Sequence, residues 1–468
     1  MKKITLSLFA ICLGCLSSLS AKTIYANAAS GNDQDEGLTL ETAVQTVSRA
    51  YDLASDGDVI KLDGTFLLES QIVLDKVLTI ESTGTEKAVL DGQSTCRIFT
   101  FQKQITLRNL NLRNGFTSSD EGGGAIYKWI AYSMEMNITD CIFEGNVSTK
   151  QGGAIKMLTY GGSDLLKIDR CVFKNNQSGD HGGVLAFITE GGNPEGNKAT
   201  LTLSNSTFTG NKNNGGGGGI LFAAGGALNW GTFNFIHLTV SGNSDYQNAA
   251  GNLPGFVFIG SAMAVNVINS VIEGNSTANG DFADFSFDST TPTALTIKNS
   301  IVGHVTNYGA TIDPANFTVI ESSVNNTKFV SDALLAGLGA FNGAYFPLTG
   351  QSLAYDYGRT STIPAALNTD QVGNIRTNAT YSSAGAVNFY QNVATSIGSV
   401  SEKPDYTINQ HSVTVNSARA QVEIYNLTGS LVYSSFVTGS RTIRLLPGVY
   451  ILKSMTATKK SISKFILN

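Results

Sequence analysis

Acidic and imidazole side chains stand directly before glycine runs in the middle of the chain. They are Asp120 and Glu121 before one run, and Asp180 and His181 before another. Carboxylates and an imidazole within hydrogen-bond reach of one another can act as general acid and base. If the glycine runs are equivalent turns, then Glu121, Gln151 and His181 form one exposed row. Turns are commonly polar without any catalytic role, and we favour that simpler interpretation.

Five aromatic residues in the same part of the chain are candidates for stacking against sugar rings. They are Tyr127, Trp129, Tyr132, Tyr160 and Trp230. Aromatic side chains present large flat surfaces, but in a β-rich protein they more often fill the core. Both interpretations stay open at this point.

An acidic cluster near the N-terminus has the residue types that bind calcium. Asn32, Asp33, Asp35 and Glu36 supply oxygen ligands of the kind that Ca²⁺ prefers. A solvated polar turn explains the same residues, and we favour it. The sequence otherwise predicts no cofactor.

A repeated block must position these side chains. Each copy of the block contains two apolar residues five positions apart. The second of the two falls at Leu112, Phe143, Phe173, Phe208, Val240, Ile272, Val302 and Val324. Within the blocks, apolar and polar residues alternate with period two, which indicates strands. Strands this short cannot bury a face alone and the repeat contains no helix, so the copies must stack in parallel. The predicted fold is all-β: a right-handed parallel β-helix with an N-terminal helical cap and a small C-terminal β-sandwich.

Further columns of the repeat predict the corners of each coil. Asparagine tolerates left-handed backbone angles, so the column containing Asn109, Asn205, Asn269 and Asn299 predicts a sharp bend. The glycine runs, each six residues after the block's final Asn, predict a second bend with close backbone contact. The column that follows the first bend is small. It places Cys141 and Cys171 on adjacent coils, as packing residues or as a disulfide.

Composition and the two ends of the chain predict an exported protein. Residues 1–21 have the basic start, apolar stretch and small residues of a secretory signal, whereas a lipoprotein site at Cys15 is the less favoured alternative. No later segment has the apolar length of a membrane helix. Residues 403–468 are net basic and the rest of the chain is acidic, so nucleic acid is excluded as a partner.

The expected domains follow from these patterns. They are a signal peptide at 1–21, a cap with the first coil at 22–66, the β-helix at 67–345, a closing segment at 346–390, a linker at 391–404 and a terminal domain at 405–468. Helical spacing of apolar residues between Leu40 and Ala54 predicts the capping helix.

Two parts of the chain resemble known families. FEGN (143–146), FKNN (173–176) and FTGN (208–211), each followed by glycines, resemble the repeats of polymorphic outer membrane proteins, which belong to the pectate-lyase-like β-helix class. VEIYNLTGSLVYSS (422–435) and IRLLPGVYILKSM (443–455) resemble the C-terminal sorting domain of the type IX secretion system of Bacteroidetes. These resemblances imply export across the outer membrane, display at the cell surface, and the type IX secretion machinery as a partner.

The function expected from these observations is binding rather than catalysis. The chain lacks Gly-His-Gly, Asp-Asp, Arg-Ile-Lys and Arg-x-Pro-x-x-Arg, the signatures of polysaccharide lyases and hydrolases that share the β-helix. We therefore expect an adhesin or glycan-binding protein, with a polysaccharide or a host surface glycan or protein as its ligand. A polysaccharide lyase or glycoside hydrolase acting on the β-helix flank is the alternative, and the sequence leaves enzymatic activity open.

Overall fold

The chain folds into two compact units, residues 1–389 and 390–468. The computed structural model describes residues 21–130, 134–160, 164–190, 199–225, 231–245, 255–259, 263–277, 284–287, 294–302, 305–307, 310–311, 328–329, 338, 341–347, 354, 358–359, 367–376, 381–387, 406–409, 412–426, 430–455 and 460–467. The predicted signal peptide, apart from residue 21, and the predicted linker lie outside the described residues.

The first unit is the predicted parallel β-helix, and two of its sheets meet at the asparagine bend. Sheet A contains β1 (Thr23–Asn27), β2 (Val59–Asp63), β5 (Leu78–Ser82), β8 (Ile105–Arg108), β12 (Glu135–Thr139), β16 (Leu165–Asp169), β20 (Ala199–Ser204), β24 (Gly231–Ile236), β28 (Met263–Ile268) and β32 (Ala294–Lys298). Sheet B contains β3 (Thr65–Leu67), β6 (Ala88–Asp91), β9 (Leu110–Arg113), β13 (Ile142–Glu144), β17 (Val172–Lys174), β21 (Thr207–Thr209), β25 (Thr239–Val240), β29 (Val271–Ile272), β33 (Ile301–Val302) and β36 (Lys328–Phe329).

The remaining two sheets complete each coil. Sheet D contains β10 (Phe116–Thr117), β14 (Val147–Ser148), β18 (Gln177–Ser178), β22 (Lys212–Asn213), β26 (Ser244–Asp245) and β30 (Ser276–Thr277). Sheet C contains β4 (Ile72–Leu74), β7 (Phe99–Phe101), β11 (Ile126–Ile130), β15 (Ile155–Tyr160), β19 (Leu185–Glu190), β23 (Leu221–Gly225), β27 (Phe256–Ile259), β31 (Phe285–Phe287), β34 (Val305–Asn307) and β35 (Ala310–Thr311). The described strands of the first unit pair in parallel, except β34 with β35 and a short antiparallel pair, β37 (Gly358–Arg359) and β38 (Tyr381–Ser382).

The interior columns follow the predicted repeat. Phe143 pairs with Leu112 and with Phe173, and the rings of Phe143 and Phe173 stack with centroids 4.7 Å apart. Phe208 continues the stack at 4.9 Å from Phe173. The last predicted member is wrong: Phe329, not Val324, pairs with Val302, because this coil is longer than the 22-residue spacing assumed. The register from one coil to the next therefore keeps an apolar side chain at each described position of this column.

A ladder of buried asparagines runs beside the phenylalanine column. It consists of Asn146, Asn176, Asn211, Asn243 and Asn275, all fully buried. The Nδ2 atom of Asn176 donates to Oδ1 of Asn211 at 2.9 Å and to the carbonyl of Phe143 at 3.0 Å. The same pattern repeats on the neighbouring coils, so each amide satisfies the next one and the burial cost of these polar groups is offset.

The predicted asparagine bend is confirmed by its backbone angles. The φ angle is positive at Asn109, Asp140, Arg170, Asn205, His237, Asn269 and Asn299, between 45° and 56°. In the small column that follows, Cys141 and Cys171 are buried free thiols on adjacent coils. The backbone N–H of Cys171 donates to the hydroxyl of Ser206 at 2.9 Å, so thiols and hydroxyls share one position.

The helix of the N-terminal cap is shorter than predicted. Helix α1 spans Val47–Leu53, and Thr46 caps it by accepting the backbone N–H of Arg49. The preceding residues instead run along the edge of β1, where the N–H of Val44 donates to the carbonyl of Tyr25 at 2.9 Å. These bonds cover the exposed edge of the first strand, which would otherwise pair with other chains.

The described part of the predicted closing segment packs along the side of the β-helix. Arg376 donates to Asn205 Oδ1 at 3.0 Å, and the Thr207 hydroxyl donates to Gln371 at 2.5 Å. The N–H of Gly385 donates to the carbonyl of Asn269 at 2.8 Å. The segment was expected at the end of the β-helix, but these residues lie on the asparagine bend of several coils.

The second unit is antiparallel, as the sequence predicts for the C-terminal part. Its sheet contains β39 (Tyr406–Asn409), β40 (Ser412–Asn426), β41 (Leu431–Arg444), β42 (Gly448–Met455) and β43 (Lys460–Leu467). Val422, Leu452 and Phe465 belong to its separate apolar core. The Tyr406 hydroxyl lies 2.8 Å from the Ser463 hydroxyl, so the first and last strands of the sheet approach each other.

Candidate functional site

The glycine corner lies between sheets D and C and is held by backbone contacts between coils. Gly152 and Gly182 have φ angles of 70° and 67°, which favour glycine. The N–H of Gly153 donates to the carbonyl of Gly182 at 3.0 Å. A Cβ atom on Gly153 would lie 2.1 Å from the carbonyl oxygen of Gly183, so no side chain fits there. The corner therefore fixes where the preceding polar residues emerge.

The predicted row of Glu121, Gln151 and His181 is wrong by one residue. Ile126 pairs with Ile155, and Ile155 pairs with Leu185, so the residues five places earlier share a row. That row contains Glu121, Lys150 and Asp180. The shift arises because three glycines follow Glu121 whereas two follow Gln151 and His181. Gln151 and His181 instead lie in the adjacent row, where His181 bridges to Gly217.

These two rows, with Asp120 beside them, form a polar strip made of separate local contacts, which we call the corner strip: Asp120, Glu121, Lys150, Gln151, Asp180 and His181. Asp120 lies 2.9 Å from the Lys150 ammonium, and Asp180 lies 3.4 Å from His181 Nε2. Gln151 Nε2 donates to Asp180 at 3.5 Å. The hydrogen bond from Lys150 lowers the pKa of the Asp120 carboxyl, and Asp120 correspondingly raises the pKa of Lys150. The four sequence-predicted acid and base candidates therefore lie on adjacent coils but in three separate contacts: Asp120 with Lys150, Glu121 with Arg97, and Asp180 with His181.

Arg97 hydrogen-bonds to the glycine corner at Gly122 and Gly123, and the sequence did not predict this contact. Its side chain is buried and donates to the carbonyls of Gly122 and Gly123 at 2.9 and 3.0 Å. It also pairs with Glu121 at 3.0 Å and lies 5.0 Å above the ring of Tyr127. Nothing in the repeat pattern distinguishes this arginine, because it precedes the coils that carry the Phe and Gly signature. Tyr127 is consequently a covered aromatic and does not present a free face for a sugar.

His181 is stacked on Phe222 of the next coil, a contact that sequence analysis also missed. The two ring centroids lie 4.0 Å apart with an interplanar angle of 9°. A Cβ atom on Gly216 would lie 1.8 Å from His181 Cε1, so the glycine makes room for the imidazole. The extra glycines before Leu221 were a usable signal for this close approach. The contact orients the His181 ring beside Asp180.

The other aromatic candidates are described only in part. Trp129 and Tyr160 lie on β11 and β15 of sheet C, and Tyr132 and Trp230 lie outside the described residues. Tyr127, Lys156, Ala186 and Phe222 occupy one outward row of that sheet. Tyr127, Ala186 and Phe222 of this row are buried, so the row offers no exposed aromatic face.

A buried ion pair lies inside the β-helix at the other border of sheet C. Lys128 and Asp164 are 0% and 1% exposed, and their Nζ and Oδ2 atoms lie 2.5 Å apart. Burial lowers the pKa of Lys128 and raises the pKa of Asp164. Lysine at an inward position of the alternating strand Ile126–Ile130 was the signal that could have revealed it. Because Asp164 is enclosed, its altered pKa serves no reaction with an external substrate.

The N-terminal acidic cluster forms a hydrogen-bonded turn. Asp33 accepts the backbone N–H groups of Gln45 and Thr46 at 2.7 and 2.9 Å, and the Thr46 hydroxyl at 2.8 Å. Asn32 accepts the N–H of Gln34 at 3.1 Å. Asp35 and Glu36 follow in the same turn. No group of three or more His, Cys, Asp or Glu side chains placed to hold a metal ion occurs within the described ranges.

Comparison with known proteins identifies one repeat of the β-helix. The model of the Chlamydia polymorphic membrane protein repeat matches residues 140–156, which include FEGN (143–146) and the following glycine corner. No curated protein matches the chain significantly. In the part of the chain that the structure describes, no helix has the length and apolarity to cross a membrane. The repeat match and the parallel β-helix together support a surface-exposed β-helix protein.

Proposed function

We propose that this protein is a non-enzymatic surface adhesin that binds a polar ligand, a surface glycan, along the corner strip. The observation that carries the proposal is the pairing of charges across neighbouring coils. Two pairs at the glycine corner lie at ion-pair distance: Asp120 with Lys150, and Glu121 with Arg97. Exposed donors and acceptors of both signs suit the recognition of hydroxyl-rich ligands, which bind through hydrogen bonds.

The same pairing disfavours the alternative, a lyase or hydrolase. A glycosidase needs a carboxylic acid whose pKa is raised towards neutrality beside a second carboxylate. The pKa of Asp120 is instead lowered by Lys150. The carboxyl group of Asp164, whose pKa is raised, is sealed inside the coil. The Asp120 carboxyl of the corner strip therefore does not match the acid of a glycosidase, which favours a binding role.

A binding screen of the purified full chain against polysaccharides and host surface glycans tests this function. We expect the double variant Glu121→Ala/Asp180→Ala to lose most of the binding. The matched control is Glu135→Ala/Lys167→Ala, which removes an exposed pair 3.0 Å apart on sheet A and should bind as the native chain does. Release of reducing or unsaturated ends from any polysaccharide would overturn the non-enzymatic role, and exclusive binding to host proteins would overturn the glycan ligand.

We further propose that the C-terminal unit directs export by the type IX secretion machinery. Its separate apolar core and antiparallel strands support an independently folded signal domain. Strand β43 is one edge of the sheet and pairs with β42 over Gly448–Met455. Deleting residues 455–468 removes this edge, so the chain should accumulate inside the cell envelope. Unchanged accessibility of the deleted chain to an external protease on intact cells would contradict the proposal.

A further inference from the structure

The outer face of sheet A changes character along the β-helix. On its earlier strands the outward side chains form ion pairs, such as Lys61 with Glu81 at 3.5 Å and Lys167 with Glu135 at 3.0 Å. From β20 to β28 the outward side chains are uncharged. We call the later part the neutral face: Thr200, Thr202, Thr232, Asn234 and Asn266. All five are half-buried and lie on three consecutive strands.

Hydrogen bonds order the neutral face along the axis of the coil. Asn266 Nδ2 donates to Asn234 Oδ1 at 2.9 Å, and Asn234 Nδ2 donates to Thr202 Oγ1 at 3.4 Å. In this ladder Asn234 donates one N–H and accepts one, and Asn266 donates one N–H. A primary amide has two N–H groups and two acceptor positions, so both residues keep hydrogen-bonding capacity beyond the ladder. Stacked strands space these groups about 4.8 Å apart.

From this arrangement we infer a second binding site on the neutral face, for a linear neutral polysaccharide that lies parallel to the coil axis. The inference rests on the proposed glycan-binding function and adds a separate surface and a ligand class. A repeating row of oriented amides and hydroxyls matches a polymer whose hydroxyl groups also repeat. These five residues carry no cation for an acidic polymer, and Lys167, the register neighbour of Thr202, is paired with Glu135 at 3.0 Å. They also offer no aromatic ring for a protein hot spot. Ordering by the ladder lowers the entropy lost when the ligand binds.

The neutral face is distinct from the corner strip. The corner strip lies between sheets D and C and carries charges of both signs, whereas the neutral face belongs to sheet A and carries none. Substitutions in one should leave binding at the other unchanged. This separation allows the two proposals to fail independently.

The test measures binding of the purified full chain to neutral polysaccharides (dextran, mannan and a linear β-glucan) and to charged ones (heparin and polygalacturonate). The variant Asn234→Ala/Asn266→Ala should weaken binding to a neutral polymer by about tenfold or more, because two oriented amides are lost. Asn137→Ala is the matched control, since Asn137 occupies the same outward row on β12 within the charged part of the face. It should bind like the native chain.

A second variant guards against a folding effect of losing the ladder. Thr232→Lys leaves both asparagines in place and adds a long charged side chain beside them, and it should weaken neutral-polymer binding similarly. Native binding by both variants overturns the neutral face, and the adhesin proposal still stands if Glu121→Ala/Asp180→Ala reduces binding. Binding of the native chain to charged polymers alone also overturns the neutral face. Failure to bind any glycan overturns both proposals.

Discussion

Two lysine–aspartate pairs join successive coils of the β-helix, one inside it and one outside. Lys128 and Asp164 are enclosed, at 0% and 1% exposure, whereas Lys150 and Asp120 are 47% and 93% exposed. The inner pair has lost its water and depends on its partner, while the outer pair remains solvated and screened. The difference indicates that the interior maintains the stack and that the exterior is free to differ from coil to coil.

The sharpest test of this comparison is to break the inner pair. Lys128→Met leaves the Asp164 carboxylate buried without its cation, so the free energy of unfolding should fall by about 3–5 kcal/mol. Urea unfolding followed by circular dichroism measures it. The double variant Lys128→Met/Asp164→Asn removes both charges and keeps the acceptor for the Met134 N–H, so it should recover much of the loss. A single variant as stable as the native chain would contradict the prediction.

The asparagine ladder should show the next largest effect. Asn176→Ala removes the partner of the Phe143 carbonyl and of the Asn146 N–H, both buried. We expect the free energy of unfolding to fall by about 2–4 kcal/mol, since buried polar groups without partners are costly. Asn137→Ala, at a half-buried position of sheet A, should change it by less than about 0.5 kcal/mol. Equal effects of the two variants would show that the ladder has no special role.

The free energy of unfolding should depend on pH through His237, which is buried at the asparagine bend. Burial and the nearby Arg376 guanidinium hold the pKa of His237 well below its usual value, so the native state keeps it neutral. Below about pH 6.5 the unfolded chain binds a proton that the native chain does not, and the free energy of unfolding should fall by up to about 1.4 kcal/mol per pH unit.

The variant His237→Asn tests this pH dependence. Asn205 and Asn269 occupy the same bend on the neighbouring coils with positive φ, so asparagine fits the backbone there. Denaturant unfolding between pH 7 and pH 5 should show a flatter stability profile for the variant. The idea fails if the two profiles run parallel.

The smallest effect on stability is expected at the outer pair. Asp120→Asn removes a solvated charge, so the thermal midpoint should stay within measurement error of the native value. Glycan binding at the corner strip should nevertheless weaken, because Lys150 loses its fixed partner. Equilibrium binding and a thermal melt on the same sample decide the matter. A large drop in the midpoint would mean that the exterior also carries the stack.

Sequence analysis predicted the coil well and the contacts between coils less well. Period-two alternation is a local property, so the interior columns and the asparagine bend were found correctly. The predicted row containing Glu121 was wrong by one residue. The additional glycine after Glu121 shifts every preceding residue of that coil by one position relative to the next coil. The last position of the apolar column, predicted at Val324, was wrong for a similar reason. A fixed spacing cannot account for residues added to one coil.

By itself the sequence determined that the chain builds a parallel β-helix, where each coil bends, and that an antiparallel unit follows. These features depend on side-chain pattern and on the backbone angles that asparagine and glycine tolerate. Only the tertiary structure decided which side chains meet: Arg97 with Glu121, Lys128 with Asp164, and His181 with Phe222. Such pairs depend on the exact register between coils and on burial, because a contact of a few ångströms is lost when one coil shifts by a single residue.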